Sequence, residues 1–237
     1  MGINGITMRA ATVKDADALV WLSRVGFQKS PEWRAPSFMI RRWWRDVISH
    51  PKCMVRVAVC SDSQSEPYGG VIGYCVATLD HSVWDAKMHS GPHSKWMKVL
   101  IMLTNPTVRR AYLKKRRQVK EISRTTATQK DASTESDDMA GDSDQELGRV
   151  CIADIVDERG DLYLALMAVD PRMRGRGTAT KMIEHFVEIG HEQCVGTIWM
   201  HVDPRNKKGQ DRYAQWGYTL RGRHGNSLLM SKRIPND

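Results

Sequence analysis

Two arginines and two glycines alternate over residues 174–177, in a segment that ends with Thr178 and Ala179. Glycine permits the tight backbone of a turn. Where such a turn opens a helix, the first amide N–H groups have no intrahelical partner, and the helix dipole adds positive charge. A helix end of this kind binds phosphate, and arginine side chains such as Arg172, Arg174 and Arg176 strengthen the binding. These residue types therefore predict a site for a phosphorylated ligand.

The flanking elements are those that such a turn requires. Before it lies an apolar block of strand length, Leu162 to Val169, followed by the break Asp170-Pro171. After it, apolar residues recur at helical spacing, namely Met182, Ile183, Phe186 and Ile189. A buried strand is thus predicted to enter a glycine turn that opens a helix, although an Arg/Gly turn before a helix can also be purely structural.

The turn lacks the ending of a P-loop, and it lacks the third glycine and the downstream acid of a dinucleotide-binding fingerprint. It matches the Arg/Gln-x-x-Gly-x-Gly/Ala signature as Arg174-x-x-Gly177-x-Ala179, and it resembles the GNAT N-acetyltransferase superfamily. The lead-in from Val169 to Arg174, Val-Asp-Pro-x-x-Arg, also resembles that family.

A second stretch extends the resemblance towards the C-terminus. Val195 to Val202 is rich in β-branched and aromatic residues and is predicted to form a strand, and a helix is predicted from Lys208 to Trp216. The GNAT pattern places an Asn near the end of such a strand, then a Tyr, three variable residues, Gly and an aromatic residue. The matching residues here are Asn206, Tyr213, Gly217 and Tyr218.

The resemblance implies an α/β (α+β) GNAT fold with a central mixed, mostly antiparallel sheet of six to seven strands. That sheet is splayed between strands four and five and flanked by helices. It also implies acetyl-CoA (coenzyme A) as the cofactor. By resemblance, the pyrophosphate is bound by Arg174, Gly175, Arg176, Gly177, Thr178 and Ala179, and the pantetheine arm by the strand edge Met167, Ala168 and Val169 together with Asn206.

The reaction of this family is direct attack of a neutral amine on the thioester, which needs a base, oxyanion donors and an acid. Tyr213 matches the general acid of the family, and its alternative role is packing in the core. His201 is the candidate base, because a neighbouring branch of the family has a catalytic glutamate at this position and the ordinary histidine pKa of about 6.5 suits proton removal. A strand histidine that faces away from the site is the alternative, and rival bases are Asp154, Asp157, Glu158 or a base that works through ordered water.

The acceptor is expected to be a primary amine, most simply that of a small molecule. Trp33, Trp43 and Trp44 lie in the region that lines GNAT acceptor pockets, and tryptophan encloses small amines well. Two alternatives stay open: acetylation of protein N-termini or lysines, and a non-catalytic protein that binds CoA.

Composition narrows the partners and the compartment. No stretch of about 18 apolar residues is present, which argues against a membrane span, and the N-terminus does not resemble a secretion signal. Five cysteines without a CxxC pair favour reduced thiols, no bound metal and a cytoplasmic protein, with the nucleus as the alternative. The net charge of +9 is divided between a basic segment, Lys87 to Arg124, and an acidic one, Lys130 to Glu146, which disfavours nucleic acid. A homodimer stays open.

Periodicity and turn residues predict the remaining organisation. Residues 1–237 are interpreted as one GNAT domain with an insertion at about 81–160, helical over 94–122 and disordered over the Ser/Thr/Asp-rich 123–148. The insertion is either a lid over the acceptor or a surface extension. The predicted N-terminal elements are strand Ile6 to Thr12, helix Val13 to Gln28, helix Pro36 to Ile48, and strands Met54 to Cys60 and Val71 to Leu79.

Overall fold

A seven-stranded mixed sheet organises the part of the chain that the structure describes. The computed structural model describes residues 5–28, 30–61, 70–86, 152, 155 and 159–235. The strands are β1 (Ile6–Ala10), β2 (Cys53–Cys60), β3 (Val71–Thr78), β4 (Asp161–Val169), β5 (Thr197–Val202), β6 (Thr219–His224) and β7 (Ser227–Arg233). Their order is β1-β2-β3-β4-β5-β7-β6, and every neighbouring pair is antiparallel except β4 and β5.

Helices cover both faces of this sheet. The described helices are α1 (Ala16–Gly26), α2 (Ser37–Ile48), α3 (His81–Asp85), α4 (Thr178–Glu192) and α5 (Lys207–Gln215), with 3-10 turns at Val13–Asp15, Pro31–Arg34 and Pro171–Met173. One core lies between the sheet and α1 and α2, and the other lies between the sheet and α4. Because side chains alternate along a strand, Tyr163 of β4 joins the first core while its neighbours Leu162 and Leu164 join the second.

The central strands are buried because both faces are covered. Every residue of β3 is buried, and the bulky side chains of Tyr74, Phe186 and Trp199 are fully buried. Burying one large apolar side chain stabilises a fold by about 1.5–3 kcal/mol. The two cores therefore hold β4 and β5 at fixed positions, which the candidate site requires.

β4 and β5 separate after four paired residues. They pair in parallel from Asp161 opposite Thr197 to Leu164 opposite Met200. On its other side β4 stays paired with β3, but Ala165 has no partner there, because Val76 lies opposite Leu166 and Ala77 lies opposite Leu164. Such a β-bulge bends a strand and increases its twist. The bulge coincides with the point where β4 leaves β5, and it is the local reason for the splay.

The predicted elements that fall within the described residues are present, with shifted ends. The predicted helix Val13 to Gln28 starts with a 3-10 turn and becomes α-helical at Ala16. Asp15 explains this start, because its carboxylate accepts hydrogen bonds from Arg9 and from the Thr12 amide. The regions predicted as helical over 94–122 and disordered over 123–148 lie outside the described residues. None of the described helices is long and apolar enough to span a membrane.

The cysteines are only partly where their sequence context suggests. Cys53, Cys60 and Cys75 are buried thiols, and burial raises the pKa of Cys75 to about 12. Cys194 borders an apolar run, which predicts burial, yet it is exposed and has a φ of 53°. The reason is that it lies in the turn that follows α4, before the chain re-enters the core at Val195.

Candidate active site

A cleft of about 700 Å³ opens where β4 and β5 separate. One wall is the β4 edge, another is the end of β5, and the last turn of α1 lies across them. The lining residues are Val25, Gly26, Phe27, Gln28, Ser30, Leu164, Ala165, Leu166, Met167, Pro171, Arg174, Met200, His201, Val202, Asp203, Asn206 and Tyr213. Five residues that the sequence singled out for cofactor or catalytic roles thus lie around one cavity, namely Met167, Arg174, His201, Asn206 and Tyr213.

The glycine turn takes the backbone conformation that its composition predicts. Gly175 has a φ of 76°, and Gly177, the N-cap of α4, has a φ of 84°. A Cβ at either position would meet no atom within 4 Å, so glycine is needed there for the left-handed backbone. This geometry lets the chain enter α4 directly at Thr178, and the amides of the first turn stay available for an anion.

The three arginines around this turn differ in their contacts. Arg172 forms an ion pair of 2.7 Å with the buried carboxylate of Asp170, and its guanidinium lies 5.3 Å above the Trp21 ring. Arg174 and Arg176 are exposed and form no ion pair with any described residue. Arg172 therefore holds the turn in place, whereas Arg174 and Arg176 are the arginines available to an anionic ligand.

The strand edge predicted to bind pantetheine runs from Met167 to Val169. These residues pair with β3 on one side. On the other side no described strand lies against them, because the pairing of β4 with β5 ends at Leu164. Met167 lines the cleft, whereas Ala168 is buried beneath α1. Gly26 makes that packing possible, since a Cβ there would lie 2.9 Å from the Ala168 Cβ.

Asn206 is the N-cap of α5. Its side-chain oxygen accepts a hydrogen bond of 3.1 Å from the Gly209 amide. A Cβ on Gly209 would clash with the Asn206 side chain, so glycine at this position lets the cap close. Asn206 thus lines the cleft with its oxygen already engaged, and its NH₂ group is the part that can donate to a ligand.

Tyr213 reaches the cleft from α5. Its ring packs against Trp216 and Tyr218, with centroid distances of 5.7 and 6.0 Å. Burial raises the pKa of Tyr213 to about 12. The phenol is therefore protonated at neutral pH and can donate a proton.

His201 extends from β5 into the cleft with both ring nitrogens engaged. Nδ1 lies 3.2 Å from the Tyr163 hydroxyl, and Nε2 lies 3.1 Å from Nδ1 of His224. Burial, and then the neighbouring His81 and His224, lower the pKa of His201 to about 4. The imidazole is neutral at neutral pH and can accept a proton.

The sequence did not identify four residues whose rings surround His201, namely Tyr163, Trp199, His81 and His224. Tyr163 is buried on β4, and its ring lies 4.6 Å from His81 and 4.4 Å from Trp199. The Trp199 indole N–H donates to the Asp161 carboxylate. Strand alternation could have placed Tyr163, Trp199 and His201 on one face once β4 and β5 were known to be parallel neighbours. His81 and His224 carry no such signal, because they come from α3 and from the β6–β7 hairpin.

The tryptophans expected at the acceptor site lie in the core instead. Trp33 and Trp43 are 6% and 7% exposed, and neither lines the cleft. Trp33 stacks on Trp44, and Trp43 contacts the rings of Trp33, Trp44 and Trp84 edge-on. Trp44 in turn contacts Tyr74 of β3 edge-on. The apolar face of α2 explains this, since Ile40, Trp43, Trp44 and Val47 recur at helical spacing and turn inward.

The rival bases Asp154, Asp157 and Glu158 lie outside the described residues. Within the described ranges, no three His, Cys, Asp or Glu side chains are grouped so that they could hold a metal ion. His201 stacks on His224 and is within hydrogen-bond distance of His224 and of Tyr163, and the His81 ring lies beside it at a centroid distance of 5.6 Å.

Comparison with known proteins gives the same fold. Residues 117–218 match the family model described as the acetyltransferase (GNAT) family. The structure of Arabidopsis thaliana NAA60 in complex with acetyl-CoA is similar at 15% identity, with a TM-score of 0.51, over 97% of this chain and 98% of that chain. The same plant protein with a bisubstrate analogue gives 16% identity and a TM-score of 0.52, over 97% and 99% of the two chains.

An acetyltransferase from Thermus thermophilus is similar at 13% identity, with a TM-score of 0.52 over 99% of this chain and 100% of that one. No curated protein sequence is significantly similar to this chain. At such identities the structural likeness concerns the fold, namely a mixed sheet with its parallel pair at β4 and β5 and helices on both faces.

Proposed function

This chain matches the acetyltransferase (GNAT) family over residues 117–218 and has the GNAT fold, and from that premise we propose that it is an acetyl-CoA-dependent N-acetyltransferase. It transfers an acetyl group to a primary amine by direct attack. The observation that carries the proposal is the cleft itself. Its β4 edge leads into the glycine turn of α4, while His201 and Tyr213 line its walls.

The residues present fit acetyl-CoA. The left-handed backbone at Gly175 and Gly177 leaves the α4 amides open to the pyrophosphate, with Arg174 and Arg176 beside them. The backbone of Met167, Ala168 and Val169 offers a strand edge to the amides of pantetheine, and the Asn206 amide can donate to the same arm. When bound, the cofactor supplies the thioester that the amine attacks. A protein of the same fold, Arabidopsis NAA60, was crystallised with acetyl-CoA and with a bisubstrate analogue.

The protons are handled by the chain's own side chains. His201 is neutral and accepts the proton that the amine gives up by way of the Tyr163 hydroxyl, which lies 3.2 Å from its Nδ1. The Tyr213 hydroxyl would donate a proton to the CoA sulfur as the C–N bond forms and the C–S bond breaks. Tyr213 regains its proton from solvent in the following step. Backbone N–H groups along the β4 edge are the available donors to the developing oxyanion.

The acceptor amine belongs to one of two classes. A small-molecule amine is the first class, because the cleft of about 700 Å³ has to hold the acetyl-CoA arm as well as the acceptor. Trp33 and Trp43, buried in the core, no longer support that class. A peptide amine is favoured by a second depression of about 600 Å³, which meets the cleft at Asp203 and runs along Arg223 and the hairpin residues 225–227.

The deciding experiment measures thiol release from acetyl-CoA by the purified protein with a panel of small amines, amino acids and lysine-containing peptides. Mass spectrometry then identifies the acetylated product. Release with small amines alone supports the first class, and release with peptides alone supports the second. If no amine is acetylated while acetyl-CoA still raises the melting temperature, the chain binds CoA without this activity. Absence of both effects would contradict the proposed function as a whole.

A further inference from the structure

A continuous series of hydrogen-bonding groups leads from the buried interior beside the cleft to solvent. Tyr163 is 6% exposed, and its hydroxyl lies 3.2 Å from His201 Nδ1. On the opposite side of the same ring, His201 Nε2 lies 3.1 Å from Nδ1 of His224, which is exposed on β6. The two imidazoles stack at a centroid distance of 5.2 Å. Three side chains from three strands thus connect the site with bulk water.

Amine acetylation needs such a connection. An alkylammonium ion loses one proton before it attacks and a second as the amide forms, while the thiolate takes up one. One proton therefore has to leave the cleft in every turnover. His201 cannot retain that proton, because burial and the neighbouring histidines disfavour its charged form.

Resting on the proposed function, we propose that His224 is a proton-relay residue that carries this proton from His201 to solvent. In this relay Tyr163 donates to His201 Nδ1, His201 carries its hydrogen on Nε2 and donates to His224 Nδ1, and the exposed His224 carries its own hydrogen on Nε2. A proton that enters at Tyr163 moves on to His201 Nδ1, the Nε2 proton of His201 moves to His224 Nδ1, and His224 releases its own Nε2 proton. Each group ends with as many protons as it began with, but both imidazoles then carry their hydrogen on Nδ1, so their tautomers are reset before the next turnover.

The strand pairing of the fold aligns the His224 ring with the His201 ring. His224 is the last residue of β6 and lies opposite Ser227 across the hairpin turn, and β7 pairs with β5 so that Leu229 lies opposite His201. The hairpin therefore places the His224 ring over the end of β5. The other titratable groups that influence His201 are His81 and Asp85, both on α3. They flank the relay without a hydrogen bond to His201 among the described contacts.

The test compares His224→Ala and His224→Gln with the wild type under steady-state conditions in a dilute buffer that transfers protons poorly. Both variants should lower kcat by about ten-fold or more while the KM for acetyl-CoA stays unchanged, because His224 does not line the cleft. Added imidazole should restore the rate of the alanine variant in a saturable manner. Arg221→Ala, which removes an exposed side chain from the same strand, is the matched control and should keep the wild-type rate.

Each other outcome has a defined meaning. A glutamine variant with the wild-type rate would show that a hydrogen bond to His201 suffices, and this would overturn the relay. A loss that imidazole does not repair, accompanied by a lower melting temperature, would make His224 a packing residue and also overturn it. If the wild type acetylates no amine at all, the proposed function fails first, whereas an active wild type with unimpaired His224 variants refutes only the relay.

Discussion

At the scale of single residues, two tyrosines that are close together differ in what their hydroxyl groups can do. Tyr213 lines the cleft, whereas the Tyr218 hydroxyl is buried and has no hydrogen-bond partner among the described residues. Burial keeps both phenols protonated by raising their pKa values, that of Tyr213 to about 12. Only the Tyr213 hydroxyl can therefore reach a leaving thiolate.

Tyr213→Phe is expected to lower kcat by about ten-fold or more, because it removes the acid that protonates the thiolate. CoA affinity, measured by calorimetry, should be nearly unchanged, since the ring and its packing remain. Tyr218→Phe is the matched control. It deletes an unsatisfied buried hydroxyl and should leave kcat unchanged and the melting temperature equal or higher. Equal turnover in wild type and Tyr213→Phe would remove Tyr213 as the acid.

His201 gives a prediction about pH and stability. Its pKa is lowered from 6.5 to about 4 in the folded protein, so between these values the unfolded chain binds more protons than the folded one. The contribution of the neutral His201 to the free energy of unfolding is then fully present above pH 6.5 and is lost as the pH falls through about 4. We expect the free energy of unfolding to decline over this window, and to decline less steeply in His201→Phe. Urea titrations at several pH values measure the difference, and identical slopes in the two proteins would contradict it.

At the scale of elements, the turn between β4 and α4 depends on backbone conformation. Gly177→Asp should cost about 1–2 kcal/mol of stability for the left-handed backbone, and it should abolish acetyl-CoA binding because the new carboxylate repels the pyrophosphate. Gly160→Asp is a matched control. Gly160 has a φ of 85°, equally open space around it and a position at the opposite end of β4.

The control variant should therefore lose similar stability and keep its affinity for acetyl-CoA. Thermal-shift assays with and without acetyl-CoA distinguish the two effects. Retained binding by Gly177→Asp would argue against the assignment of the turn as the pyrophosphate site, and loss of binding in both variants would point to general unfolding.

The sequence predicts those elements whose signals are local. The apolar block of β4, the glycine turn and the spacing of α4 are contiguous, and their resemblance to GNAT enzymes is confirmed by the family match and by the fold. The bulge at Ala165 depends on registers between distant segments and has no local signal. Trp33 and Trp43 show the same limit, because helical spacing reveals an apolar face without telling whether it borders a cavity or the core.

At the scale of the whole molecule, the net positive charge of the chain favours binding of an anionic cofactor in the cleft. The chain carries 36 Lys and Arg against 27 Asp and Glu, a net charge of +9. Acetyl-CoA is an anion with three phosphate groups, and a positively charged protein attracts such a ligand before contact. Arg174, which lines the cleft, and Arg176 in the same turn are both exposed, and they concentrate that attraction where the pyrophosphate is proposed to bind.

Association with acetyl-CoA should therefore depend on salt. We expect kcat/KM for acetyl-CoA to fall several-fold between ionic strengths of about 0.02 and 0.3 M, because the Debye length shortens over this range. The kcat at saturating substrate should change little, since the neutral His201 and the protonated Tyr213 carry no charge to be screened. Dephospho-acetyl-CoA, which lacks the 3′-phosphate, should show a shallower dependence. Equal slopes for the two cofactors would mean that the 3′-phosphate lies outside the positive field, and a flat profile for both would argue against electrostatic steering into this cleft.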